Sequence, residues 1–304
     1  MTRPRIGLAL GSGSARGWSH IGAIEALVEA GIEPDIVCGT SIGSLEGAAY
    51  VAGRLPELKI WAEAVTWRQI VGMLDVHLTG GGLIDGKQVV ALLRRLGIDQ
   101  PIESFARPYA AVATDLTTGR EIWFRSGSIL DAVRASIAIP GIFSPAHADG
   151  QWLLDGGLIN PVPVSVCRAL GANVIIAINL NGDQFARRAR TGPAPLAPPG
   201  KRDDRLSRAL DQLPAGVREQ LARIAPRFLS QGEPAPGYFY VLTGAIDIMQ
   251  DHITRTRLAG EPPHVMLIPR LGDIGLMDFH RATEAIAEGR ACVQQALPAL
   301  KRYL

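Results

Sequence analysis

Three short segments of this chain bring together residue types that do chemistry. The first is Gly39-Thr40-Ser41-Ile42-Gly43, set between the apolar run Ile36-Val37-Cys38 and the small-residue stretch 44–51. A serine flanked by glycines two residues away on each side, between a strand and a helix, has the pattern of a nucleophile elbow. Such a turn strains the serine backbone and leaves no room for bulky neighbours, so glycine serves at Gly39 and Gly43. It also presents the hydroxyl at a strand end, with a helix N-terminus aimed at whatever the oxygen attacks. The plain alternative for these five residues is an ordinary strand-to-helix turn.

The second segment, Gly11-Ser12-Gly13-Ser14-Ala15-Arg16-Gly17, joins the first apolar run to the first helical pattern. Small residues there let backbone N–H groups converge on an anion. A dinucleotide loop would want an acidic residue at the end of the next strand, but that strand ends at Cys38-Gly39-Thr40 and carries Asp35 at its start. A P-loop needs Gly-Lys-Ser/Thr, which the loop lacks. An oxyanion hole beside a nucleophile on the adjoining strand fits best, because both loops then leave the same edge of a parallel sheet. The third segment is Asp155-Gly156-Gly157, directly after Trp152-Leu153-Leu154. Aspartate–glycine turns are common, so this one gains weight only in combination with Ser41.

The elements that must position these residues follow from hydrophobic periodicity. Strands are expected at 6–10, 35–38, 109–114, 121–124, 152–154, 174–179, 238–242 and 264–268. Helices are expected at 14–30, 44–52, 57–74, 85–96, 128–137, 162–170 and 281–300. The β-α-β-α opening favours an α/β fold with a central, mostly parallel sheet covered by helices. From 183 to 236 prolines crowd the chain and no strand is expected, and residues 187–203 read as linker. Leu206, Leu210, Leu213, Val217, Leu221, Ile224 and Phe228 then recur at helical spacing, interrupted by Pro214 and Gly216. The expected organisation is one catalytic domain over 1–304, its core at 5–182 and 237–304, with 183–236 as an insertion.

Bulk composition narrows the classes. The 304 residues carry a net charge of +2, with 47% hydrophobic and 20% charged residues, as ordinary globular proteins do. Cys38, Cys167 and Cys292 are far apart, which points away from a disulfide framework or zinc cluster, and neither metal nor cofactor is expected. The start of the chain lacks a signal-peptide pattern and no apolar run is long enough to span a bilayer, so a cytoplasmic location is expected. Residues 187–230 hold ten Arg or Lys against four Asp or Glu, which suits peripheral contact with an anionic membrane. No nucleic-acid partner is expected, and the oligomeric state is not legible.

Taken with their order, these motifs resemble the patatin-like phospholipases, in particular the bacterial group similar to the catalytic domain of neuropathy target esterase. The resemblance rests on the loop ending Ala15-Arg16-Gly17, the elbow 39–43 and Asp155-Gly156-Gly157. It is extended by Ala113-Thr114-Asp115-Leu116, 134–140 and Asn160-Pro161-Val162-Pro163. The usual three-glycine core reads Ser12-Gly13-Ser14 here. The resemblance implies a three-layer sandwich and a serine lipid acyl hydrolase acting on phospholipid or other lipid esters. It implies Ser41 as nucleophile and Asp155 as general base without histidine. Amides around Ser12, Gly13 and Ser14 would hold the oxyanion, Arg16 would position that loop or add charge, and Gly156 and Gly157 would support the turn. Two alternatives stand beside it. One is an α/β-hydrolase triad using His264 or His280, and the other is a non-catalytic lipid-binding scaffold. Asp115 and Ser136 are expected to support the site or to cap turns.

Overall fold

The computed structural model describes residues 3–66, 69, 85–183 and 238–303. The stripe at 206–228, the basic stretch 187–230 and the linker 187–203 lie outside the described residues, as does most of 65–74 in the expected helix 57–74.

Five strands run parallel. They are β1 (Ile6–Leu10), β2 (Ile36–Thr40), β3 (Tyr109–Asp115), β7 (Val174–Ile178) and β8 (Val265–Leu267), in the order β3-β2-β1-β7-β8. Three antiparallel strands complete the sheet: β4 (Glu121–Phe124) and β6 (Gln151–Asp155) on β3, and β5 (Ala146–Ala148) on β6. Burial of both sheet faces explains the near-continuous apolar runs of the parallel strands. Alternate side chains feed two cores. Leu8, Leu10, Val37, Tyr109, Ile176 and Ile178 point to one, and Ala9, Ile36, Cys38, Val112, Ile175 and Ala177 to the other.

The first core is closed by α1 (Ser19–Glu29), α2 (Ile42–Val51), α3 (Leu55–Ala64), α4 (Lys87–Arg95), α5 (Ile129–Ser136) and α8 (Ala282–Leu300). The second is covered by α6 (Val164–Ala169) and, through Leu258, by α7 (Tyr238–Gly260). The result is the expected α/β architecture, a mostly parallel sheet flanked by helices on both faces.

The register around β3 matters most for the site. β4 pairs with Ala111 to Thr114, so it occupies one edge of β3. β2 and β6 must therefore share the other edge, β2 up to Val112 and β6 from Ala113 onward. The two strands run toward each other, and their carboxyl ends, Thr40 and Asp155, face adjacent β3 residues. Sheet pairing alone thus brings the residue after Thr40 beside Asp155.

The expected strand at 238–242 is instead the first turn of α7, which runs to Gly260. A short apolar run does not distinguish strand from buried helix by periodicity. The remainder of α7 was hidden because its inward side is largely polar, with Asp247, Gln250, Asp251 and Thr254 buried. The expected helix 14–30 divides into a 3₁₀ turn, Ser14–Trp18, and α1. β2 continues through Gly39 and Thr40, and β5 was not foreseen.

Candidate active site

Ser41 stands between β2 and α2 with φ 57° and ψ −126°, a backbone conformation that a non-glycine residue rarely holds. Packing enforces it. A Cβ on Gly39 would overlap the carbonyl of Gly43, and one on Gly43 would overlap the carbonyl of Leu10. The strained turn is braced from α5, where the Ser136 hydroxyl accepts the Ser41 N–H at 2.8 Å and donates to the Val112 carbonyl at 2.6 Å. Ser136 therefore supports the elbow. Asp115 instead caps the β3–β4 turn, accepting the N–H groups of Thr117 and Thr118 at 2.7 Å each.

The Ser41 hydroxyl donates to Asp155 Oδ2 at 2.5 Å, and Asp155 Oδ1 accepts the Gly157 N–H at 2.6 Å. Ser41 is 2% exposed and Asp155 1%. Burial raises the Asp155 pKa to about 7, against the opposing pull of its hydrogen bonds from Ser41 and Gly157. Gly156 is pressed against the Val112 carbonyl and Thr40, and a Cβ on Gly157 would meet Ser12 Oγ and Asp155 Oδ1, each at 2.9 Å. The Asp-Gly-Gly turn therefore lies against both β3 and the glycine loop.

That loop places Ser12, Gly13 and Ser14 at the carboxyl end of β1. The Ser12 N–H is engaged by the Pro161 carbonyl at 2.8 Å and the Ala15 N–H by that of Leu276 at 3.1 Å. The amides of Gly13 and Ser14 precede the first bonded position of the 3₁₀ turn, and Ser14 holds φ 52°. Arg16 is fully buried, its guanidinium donating to Asn181 Oδ1 at 2.8 Å and to Asp247 Oδ1 at 2.7 Å. Neither partner was foreseen. Asp247 lies on a helix that apolar periodicity does not reveal, although polar residues at 247, 250, 251 and 254 are themselves helically spaced.

The described histidines lie elsewhere. His264 Nδ1 accepts the Ile175 N–H at 3.0 Å near the amino end of β7, the sheet edge opposite Ser41. His20 is buried against Glu46, His147 meets Trp152 edge-on, and His252 and His280 are exposed.

The profile of the patatin-like phospholipase family matches residues 8–168, which contain the elbow, the glycine loop and Asp155. The chain belongs to the patatin-like phospholipase family. Its relatives include proteins named as uncharacterized NTE family proteins from Mycobacterium bovis and Mycobacterium tuberculosis. Each is 34% identical to it, the match covering 98% of this chain and 92% of the relative. The human patatin-like phospholipase domain-containing protein 6 is 37% identical over 187 residues, 59% of this chain and 14% of that protein. The solved structure of VipD from Legionella pneumophila aligns over 98% of this chain and 67% of its own, with 14% identity and a TM-score of 0.48. Family membership supports lipid acyl hydrolysis, with lipid esters as the substrate class.

In this patatin-like chain Ser41 opens into a cavity whose free space, counted out into open solvent, is about 940 Å³. Ser14, Ile42 and Leu45 line it near the serine, with Trp18 and Trp61, Ile139 and Ile142, and Met277 and Phe279 among the other walls. Among the described residues its lining is almost wholly apolar and includes no charged side chain. Among the described residues, no three His, Cys, Asp or Glu side chains are grouped to hold a metal. No described helix is long and apolar enough to cross a membrane.

Proposed function

We propose that this protein is a serine lipid acyl hydrolase that works through a Ser41–Asp155 dyad and an acyl-enzyme. The observation that carries the reading is the 2.5 Å hydrogen bond from Ser41 Oγ, which lines an apolar cavity, to a buried Asp155 whose pKa burial raises to about 7. An ordinary aspartate, with a pKa of about 3.9, is a poor base at neutral pH, and burial makes this one competent. Asp155 takes the Ser41 proton as Oγ attacks the ester carbonyl, then gives it to the departing alkoxide. Water next gives a proton to Asp155 as it attacks the acyl carbonyl, and Asp155 returns that proton to Ser41 Oγ as the acyl–oxygen bond breaks, freeing the acid and restoring both residues. The N–H groups of Gly13 and Ser14 are the donors for the oxyanion, since that of Ser12 is already engaged by Pro161. The apolar cavity takes the acyl chain.

The triad alternative has no support in the geometry, because His264 binds the opposite sheet edge and Ser41 is bonded to Asp155. A fluorophosphonate probe tests the reading. It is expected to label the wild type at Ser41, and not at all after Ser41→Ala. Asp155→Asn should slow labelling and ester turnover by about 10⁴-fold or more, as removal of one member of a coupled unit does. Near-normal turnover in Asp155→Asn, or labelling of Ser41→Ala, would overturn the dyad.

A further inference from the structure

The matched family region ends at residue 168, yet α7 reaches the centre of the site from beyond it. Arg16, in the turn that follows the oxyanion loop, is held by Asp247 of α7 and by Asn181, the residue three beyond the end of β7. Asn181 in turn donates to Gln250 Oε1 at 3.1 Å, one helical turn along from Asp247. Gln250 also packs on the other half of the site, its Nε2 filling the space where a Cβ on Gly157 would lie. Gly157 is the residue whose N–H fixes Asp155. One helix therefore touches both the oxyanion loop and the base turn through buried polar side chains. Between those contacts Ile248 and Met249 are 56% and 47% exposed while Asp247, Gln250, Asp251 and Thr254 are buried beside Ile246, a partial inversion of the usual pattern.

Stability does not explain that inversion. A buried ion pair is often no better than a well-packed apolar pair of the same volume, because desolvation offsets the attraction. What such a pair supplies is a fixed direction: a planar guanidinium held by two acceptors leaves its backbone little freedom. We propose that Asp247 is a positioning residue for catalysis. Through Arg16 it sets the loop whose Gly13 and Ser14 amides meet the oxyanion, and Gln250 secures the Asp155 turn from the same helix. The proposal rests on the Ser41–Asp155 reading given above.

The test separates placement from folding. Turnover is measured on a short soluble ester and expressed per fluorophosphonate-titrated site, with melting temperature followed in parallel. Asp247→Asn keeps the shape but removes the charge. It should lower kcat by about 10-fold to 10²-fold with KM within about twofold, somewhat less than the loss of a direct oxyanion donor. Arg16→Met with Asp247→Leu replaces the pair by apolar groups and guards against an unfolded single variant. It should melt near the wild type, yet turn over as slowly as Asp247→Asn. If either variant is folded and its kcat per titrated site stays within about twofold of the wild type, the positioning role is overturned. Loss of melting temperature with unchanged kcat per site likewise assigns Asp247 to structure alone. Ser41→Ala is run beside them: if it keeps activity, the serine reading has failed independently of Asp247.

Discussion

At the scale of single residues, Asp155 carries the cost of the role proposed for it. Its carboxyl is lifted from the ordinary range to about 7 by burial. In the proposed dyad Asp155 acts as a base only when ionised, so kcat/KM should rise about tenfold per pH unit below 7 and level off above it. A profile that is flat between pH 5 and 8 would exclude Asp155 as the titrating base. The same shift has a consequence for folding. Between the ordinary aspartate pKa of about 3.9 and about 7, the unfolded chain releases this proton while the native protein retains it, so stability falls as pH rises. Asp155→Asn removes that penalty. The variant should therefore melt a few degrees above the wild type at pH 8 and show no such gain at pH 4, an activity-for-stability exchange common at strained sites. Ser41, with its positive φ, belongs to the same class of locally unfavourable residue.

At the scale of elements, α2 carries Ser41 at its N-terminus and is fastened to α1 by a buried pair, His20 Nδ1 and Glu46 Oε2 at 2.5 Å. Burial lowers the His20 pKa to about 3 and pushes that of Glu46 well above the carboxylate range. Both directions favour the uncharged forms, in which a Glu46 carboxylic acid would donate to Nδ1 of a neutral imidazole. A raised carboxyl pKa costs stability at any pH above its unfolded value, since the unfolded chain ionises there first. Glu46→Gln keeps a donor without the titration. Its stability relative to the wild type should climb by about 1.4 kcal/mol per pH unit above about pH 4.3, until Glu46 ionises in the native protein. An ion pair would behave otherwise: breaking one in the interior costs about 3–5 kcal/mol. Urea unfolding of both proteins at pH 4, 5.5 and 7 decides between them. Nothing in the sequence marks this pair, because His20 and Glu46 lie on separate helices whose contact is purely tertiary.

At the scale of the whole molecule, what was legible followed from local signals. β1, β2 and the helices after them were visible because glycines punctuate apolar runs at the two loops that carry Ser12 to Arg16 and Ser41. The meeting of Ser41 with Asp155 was implied by the family resemblance, but its cause was not legible, since it depends on β2 and β6 sharing one edge of β3. α7 was illegible for the opposite reason, its buried side being polar. The cavity was equally hidden, for its walls come from α2, α3, α4 and the segments after α5 and before α8. Those walls should set acyl length. Leu45 lies one turn past Ser41 on α2, and Trp61 enters from α3, in edge contact with Trp18 at 6.0 Å. Each methylene that an apolar pocket accepts or refuses is worth about 1–3 kcal/mol in kcat/KM. Leu45→Phe should therefore depress long-chain esters by tenfold or more relative to a four-carbon ester, and Trp61→Ala should shift preference toward longer chains. Measuring kcat/KM on nitrophenyl esters of four to sixteen carbons checks both, with melting temperature followed because each change disturbs packing. Variants that stay folded and keep the wild-type length profile would show that the acyl chain lies outside this cavity.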